Sequence, residues 1–213
     1  MVGPAHRPTA VAAARHARAV FIVYAFAIGL LLGHVLGGRL SGLASIQFHW
    51  PWLAIGGFAI QLALFSDTVS NAVGYAGPAI YVASTFAVLV AVLRNVRLTG
   101  LVVVAAGAGA NLAAIVANGG FMPASAAAVA GLGGQPSVAA NPAIVASPAL
   151  EPLTDLYAMP AWLPLASVFS VGDVLIAFGV VVVLVSGMRR SAPVTLRQAA
   201  PMAHALPPEA PRP

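Results

Sequence analysis

The residues with the most chemical capacity in this chain gather around one turn and one later helix start. Asn111 and Asn118 flank the run N-L-A-A-I-V-A-N, which empties into Gly119-Gly120-Phe121-Met122-Pro123. Seven steps of about 100° bring the second Asn to within about 20° of the first, so both belong to one helix face. Farther along, Asp155 stands in a Pro-rich stretch, and Ser170 precedes Asp173 by three residues at the start of an apolar run. Brought together, Asn111, Asn118, Asp155, Ser170 and Asp173 form an oxygen-rich pocket with Phe121 and Met122 as an apolar lid. Such a donor set suits a hard cation such as Ca²⁺ or a polar head group. Each part also has a local structural role: Ser170 with Asp173 fits a capping box, and Asn118 before Gly119-Gly120 fits a helix terminator that uses left-handed backbone.

Other chemistries have thinner support. The histidines at 6, 16, 34, 49 and 204 form neither HxxxH nor HExxH, so zinc and haem sites are not expected. There is no Cys for a thiolate nucleophile or a disulfide, no Gly-rich loop with Lys, and no base near Ser125 or Ser147 in the sequence. No cofactor and no catalytic residue is assigned.

The elements that must carry these residues are apolar. Sixty per cent of the 213 residues are hydrophobic and 7% charged, against about 25% charged in a soluble domain. The class expected is an all-α integral membrane protein with about five transmembrane helices and a long Pro/Ala/Gly-rich loop between helices 4 and 5. The spans are placed at about 19–37, 52–68, 78–93, 99–118 and 171–188, the first of them long enough to cross a bilayer core of about 30 Å. Residues 1–18 read as a basic amino-terminal tail and 189–213 as a disordered cytoplasmic tail. In the loop, 119–168, prolines at 123, 136, 142, 148, 152, 160 and 164 forbid a further full span. Ser125 is placed to cap a short helix up to Leu132, and Asn141-Pro142 to open another. Between the first two spans, Leu40, Leu43, Ile46 and Phe48 are placed on the membrane surface, with Trp50 and Trp52 at headgroup level. In the fourth span, Ala106, Gly107 and Ala110 allow a neighbouring backbone to approach.

Charge sets orientation. With the loop outside, Arg39, Arg94, Arg97, Arg189, Arg190, Arg197 and Arg212 fall on the cytoplasmic side, leaving Arg7, Arg15 and Arg18 outside. The loop is then extracytoplasmic, together with Asp67, Glu151, Asp155 and Asp173. The basic balance matches anionic headgroups rather than nucleic acid. Expected partners are the lipid bilayer and a membrane-protein partner or a second copy. Because Asp67 and Asp173 sit at span ends and only Gln61, Asn111 and small hydroxyls lie deeper, a proton-coupled carrier acting as a monomer is disfavoured.

The patterns A-N-G-G-F-M-P at 117–123, T-D-L at 154–156 and F-S-V-G-D-V-L-I-A-F-G at 169–179 resemble a family of bacterial multi-pass membrane proteins known as domain of unknown function 5317, over about Ala19 to Ser186. The resemblance implies a protein of the bacterial cytoplasmic membrane with five or so spans and implies no reaction. A structural or interaction component of the cell envelope is the expected role, with a small-solute or ion permease as the alternative and a membrane-embedded enzyme third.

Overall fold

A computed structural model describes residues 17–64, 66–132, 144–164 and 166–190. Of the tails expected at 1–18 and 189–213, residues 1–16 and 191–213 lie outside these residues, as does the Asn141-Pro142 helix start, while 17–18 belong to the first helix. Five long helices dominate: α1 (Ala17–Val35), α2 (Pro51–Leu64), α4 (Gly77–Arg94), α5 (Leu101–Ala117) and α7 (Val171–Met188). Two short helices, α3 (Asp67–Val73) and α6 (Ala126–Gly131), lie between them. The fold is mostly helical rather than wholly so, because β1 (Tyr157–Ala158) pairs antiparallel with β2 (Val168–Phe169).

The span lengths need correction. Two helical stretches, Thr68–Arg94 and Val171–Met188, are long and apolar enough to cross a membrane, while Phe21–Val35, Pro51–Leu64 and Leu101–Ala117 are shorter apolar helices. Local chemistry sets these limits. Helix α2 stops at Leu64 rather than Thr68 because Ser66 leaves helical backbone and caps α3, its Oγ accepting from the Val69 amide at 3.3 Å. Helix α5 begins at Leu101 rather than Thr99 because Gly100 before it adopts φ +97°, which a helix cannot contain.

The long helices stand in a row. Helix α1 packs on α7, α7 on α5, α5 on α4, and α4 on α2. Small residues set the closest approaches. Ala25, Gly29 and Gly33 form the buried stripe of α1, one turn apart, with Gly29 against Leu184 and Gly33 against Met188 of α7. Helices α5 and α7 run antiparallel with glycine facing glycine twice. A methyl group on Gly100 would lie 2.6 Å from the Gly179 carbonyl oxygen, and one on Gly107 would collide with the Gly172 carbonyl oxygen. Of the three small residues expected at this contact, Gly107 carries it; Ala106 is exposed and Ala110 half-buried.

The row leaves its outward surface apolar. Val23, Phe26, Leu31, Ile55, Ile60, Phe86, Val102 and Phe178 are all exposed. A soluble domain turns such side chains inward, since burying one fully is worth about 1.5–3 kcal/mol.

One end of the row is crossed by a strap, residues 37–50, joining the two edge helices α1 and α2. Its course starts with a Schellman turn, in which Gly37 (φ +78°) donates to the His34 carbonyl and Gly38 to that of Gly33. Arg39 N–H then donates to the Met188 carbonyl at 2.8 Å, and the 3-10 turn Leu40–Ser45 packs on the end of α7. Of the four side chains expected on the membrane surface, Leu40 is exposed and the other three turn inward. Leu43 and Ile46 face Gly187 of α7, and Phe48 packs with Val92, Leu101 and Val104.

At the other end, the described residues of 119–168 fold against the row. The stretch Pro123-Ala124-Ser125 runs between Ile144 on one side and Asp155 on the other, with Asp155 N–H donating to the Pro123 carbonyl and Ser125 N–H to that of Asp155, each at 3.0 Å. Ser125 also caps α6 as expected, its Oγ accepting from the Ala128 amide at 3.0 Å. Ala124, Ala128, Val129, Ile144 and Val168 make a small apolar core for this layer.

Candidate functional site

Three of the ten sequence-nominated residues converge. Asn111 stands in the fourth turn of the buried stripe of α5, whose members Leu101, Val104, Gly107, Asn111, Ala114 and Ile115 recur at helical spacing. It therefore faces α7 at that helix's first turn. There the capping box is complete: the Asp173 amide donates to Ser170 Oγ at 3.1 Å and the Ser170 amide to Asp173 Oδ2 at 3.0 Å. Asn111 bridges both members, its Nδ2 donating to Asp173 Oδ1 at 2.7 Å and its Oδ1 accepting from the Ser170 hydroxyl at 2.8 Å. The carboxylate accepts only, and this fixes which way the Asn111 amide points.

The electrostatics are self-contained. Asn111 is 5% exposed, Ser170 0% and Asp173 7%. The negative charge sits on the third residue of α7, where free amides and the helix dipole favour an anion. Each Asp173 oxygen already has a protein donor. Gly172 lies against Asn111 so closely that a methyl group there would overlap its Oδ1. Among the described residues no group of three or more His, Asp or Glu is placed to hold a metal ion. The trio works as an interhelical lock, joining α5 to α7 by hydrogen bonds worth about 1.5–3 kcal/mol each where an ion takes part.

The other nominated residues go elsewhere. Asn118 leaves helical backbone at φ −108° and turns out of the Asn111 stripe, its Nδ2 donating to the Ala114 and Ala149 carbonyls and its Oδ1 accepting from the Ala149 amide at 2.9 Å. It ties the layer to α5. Gly119 and Gly120 complete a Schellman cap, donating to the Val116 and Ile115 carbonyls at 3.2 and 2.8 Å. Met122 is core rather than lid, packed with Tyr81, Ala114 and Ile115. Phe121 is exposed, Pro123 is buried, and Asp155 lies in the layer beside Pro123 and Ser125. Of the five polar residues, Asn111, Ser170 and Asp173 thus form a lock, Asn118 a separate anchor, and Asp155 joins the layer through its backbone.

The two glycines of the cap are not equivalent. At Gly119 (φ +75°) an added methyl would make only ordinary contact, 3.9 Å from Phe121 Cε1, whereas Gly120 (φ +92°) is pressed against α4, a methyl group there lying 2.6 Å from Pro78 Cβ. Gly119→Ala is expected to lower unfolding free energy by about 1 kcal/mol, the cost of left-handed backbone. Gly120→Ala adds overpacking and should cost about 3 kcal/mol. Thermal unfolding of the two purified variants checks the order.

A second buried polar residue was not nominated from the sequence. Asn95, 3% exposed, closes the end of α4 and clamps the strap: its Oδ1 accepts from the His49 amide and its Nδ2 donates to the His49 carbonyl, both at 2.7 Å. The same Nδ2 donates to the Ala91 carbonyl. The strap then turns sharply, with Trp50 at φ +58° before Pro51. Left-handed backbone in a bulky residue costs about 1–2 kcal/mol. The Arg94 guanidinium lies 5.8 Å from the Trp50 ring centre. A lone Asn beside Arg94 carries no spacing signal, and its partner is 46 positions away.

A helical row with a glycine-lined seam, a buried polar lock and two helices able to cross a membrane is the class of protein these features define. The sequence profile of a family of unknown function, DUF5317, matches residues 45–185, and the chain belongs to that family. The match covers the row from the strap to the last turn of α7 and leaves α1 outside it. No curated protein and no solved structure matches the chain.

Proposed function

We propose that this chain spans the bacterial cytoplasmic membrane five times and serves the cell envelope as a structural or interaction component, with the 119–168 layer on the outer side meeting a partner or lipid. The carrying observation is the sorting of charge between the two ends of the row. Successive long helices alternate in direction, so Arg39, Arg94, Arg97, Arg189 and Arg190 follow helix ends gathered beside the strap. Glu151, Asp155 and Asp173 lie at the opposite end, in the layer and at the α7 start. Under the positive-inside rule the strap end is cytoplasmic.

The exposed apolar sides of the row suit lipid, and the aromatic residues suit its boundaries. Trp50 and Trp52 stand at the strap end, Tyr75, Tyr157 and Trp162 at the other, all exposed. The shorter helices remain compatible with crossing: α5, at 17 residues, rises about 26 Å at 1.5 Å per residue, and short spans are accommodated by local thinning. An interaction role fits better than a permease, because backbone-to-backbone contact between α5 and α7 leaves no room for a solute along that seam.

The chain has no Cys, so single cysteines report topology directly. Ser147→Cys, exposed in the layer, should react with an impermeant maleimide in intact cells. Ser41→Cys, exposed on the strap, should react only after permeabilisation. The reverse pattern would sink the orientation, and labelling of both in intact cells would sink the five-span arrangement.

A further inference from the structure

The strap end concentrates positive charge that no described carboxylate neutralises. Arg39, Arg94, Arg97, Arg189 and Arg190 are all exposed, and none of them forms an ion pair among the described residues. The described carboxylates lie at the other end of the row. On the strap, Asn95 holds the His49 backbone from both sides, and the chain is driven into a left-handed turn that sets Trp50 beside Arg94. An outlier of this kind is maintained only where the surroundings impose it. Its outcome is an exposed indole next to a guanidinium, with Arg97 on the turn that follows and Trp52 and Leu40 exposed along the same end.

This combination matches one chemistry. An Arg fork recognises phosphate oxygens through paired N–H donors, an indole prefers the carbonyl and glycerol level of a bilayer, and exposed apolar side chains favour the acyl region beneath. We propose that the strap end is a docking face for anionic phospholipid, its headgroup phosphodiester held by Arg94 and Arg97 beside Trp50, with Asn95 as the residue that positions the strap. The proposal rests on the five-span reading and adds a lipid class and a site at the face opposite the outer layer.

The test uses the full chain purified in neutral detergent, with thermal stabilisation measured against added phosphatidylglycerol, phosphatidylcholine or inorganic phosphate. Phosphatidylglycerol is expected to raise the unfolding temperature in a saturable way, and the other two are not. A surface arginine contributes about 1 kcal/mol to anionic-lipid binding, about five-fold in affinity. Arg94→Gln with Arg97→Gln should therefore weaken the apparent affinity about 25-fold, while Arg189→Gln with Arg190→Gln weakens it less than five-fold. Equal losses from the two pairs would overturn a defined site in favour of diffuse charge. Equal stabilisation by phosphatidylcholine would overturn the charge selectivity, and equal stabilisation by inorganic phosphate would make the site one for a free anion. If phosphatidylglycerol does not bind while the chain fractionates with membranes, this inference fails alone; recovery in the soluble fraction without detergent would remove the five-span reading as well.

Discussion

Gly107→Ala is expected to unseat α5 from α7 at a large cost in stability. The new carbon would meet the Gly172 carbonyl oxygen and approach the Ile176 amide nitrogen at 2.9 Å, so the atoms in its way are backbone. Backbone cannot rotate aside as a side chain can. The helices must separate along the seam, breaking the Gly100–Gly179 contact and stretching the Asn111 lock together. Overpacking alone costs about 1–3 kcal/mol, and loss of the linked contacts takes the expected total to about 4 kcal/mol. Gly109→Ala, two residues along the same helix, has nothing within 4 Å of the added carbon. It should gain about 0.5–1 kcal/mol from the higher helix propensity of Ala. Thermal unfolding of both variants separates contact from propensity; equal effects would mean that the seam is not closely packed.

Asp173→Ala should be nearly as damaging, for a different reason. Its two oxygens serve Asn111 Nδ2 and the Ser170 amide, and removing them strands two buried donors at about 1–3 kcal/mol each. A loss of about 3–4 kcal/mol is expected, together with fraying of the first turn of α7. Asp173→Asn keeps one acceptor and the shape, and should recover part of the loss. In a double-mutant cycle, Asp173→Ala and Asn111→Ala should show a coupling of about 1–2 kcal/mol, since the second change removes a donor that the first strands. Additive losses would show that the two side chains do not act on each other.

What could be read from the chain without its structure depended on how local the cause was. The Ser170–Asp173 capping box and the Asn118-Gly119-Gly120 terminator are set by neighbours within a few positions, and both are where the spacing placed them. Ser125 likewise caps α6. Gly107 was legible as a packing residue because small side chains in an apolar helix admit a neighbour, but its opposite, Gly172, was not, since the antiparallel register of α5 on α7 is a property of two segments. The same limit explains the pocket that resolved into two parts. Asn111 and Asn118 share a face only while the helix continues, and it ends at Ala117. The strap was expected at a lipid surface with four apolar side chains, yet three of them turn inward because the ends of α4, α5 and α7 offer a surface that the sequence of the strap alone cannot reveal. Asn95 was missed entirely, as its partner at His49 is remote and unmarked.

The order of the row also constrains how it can be assembled. The strap holds α1 and α2 next to each other in the chain but at opposite edges in space, with α7, α5 and α4 between them. Synthesis proceeds from the amino terminus, so α2, α4 and α5 can associate as soon as they emerge, whereas α1 has no final neighbour until α7 is made. Tyr24 of α1 donates to the Pro164 carbonyl across 140 positions, and Phe21 stacks on Phe169. Helix α7 must then enter a gap between α1 and α5 that earlier helices have left open. Long-range closure of this kind is slow because the connecting chain must be ordered before its contacts form. The Gly29, Gly107 and Gly179 faces lower that obstacle, presenting smooth surfaces along which a late helix can slide into register, and the Asn111 lock engages once the first turn of α7 has arrived. Helix α7 is the keystone of this row, set after the other four and bearing on both sides.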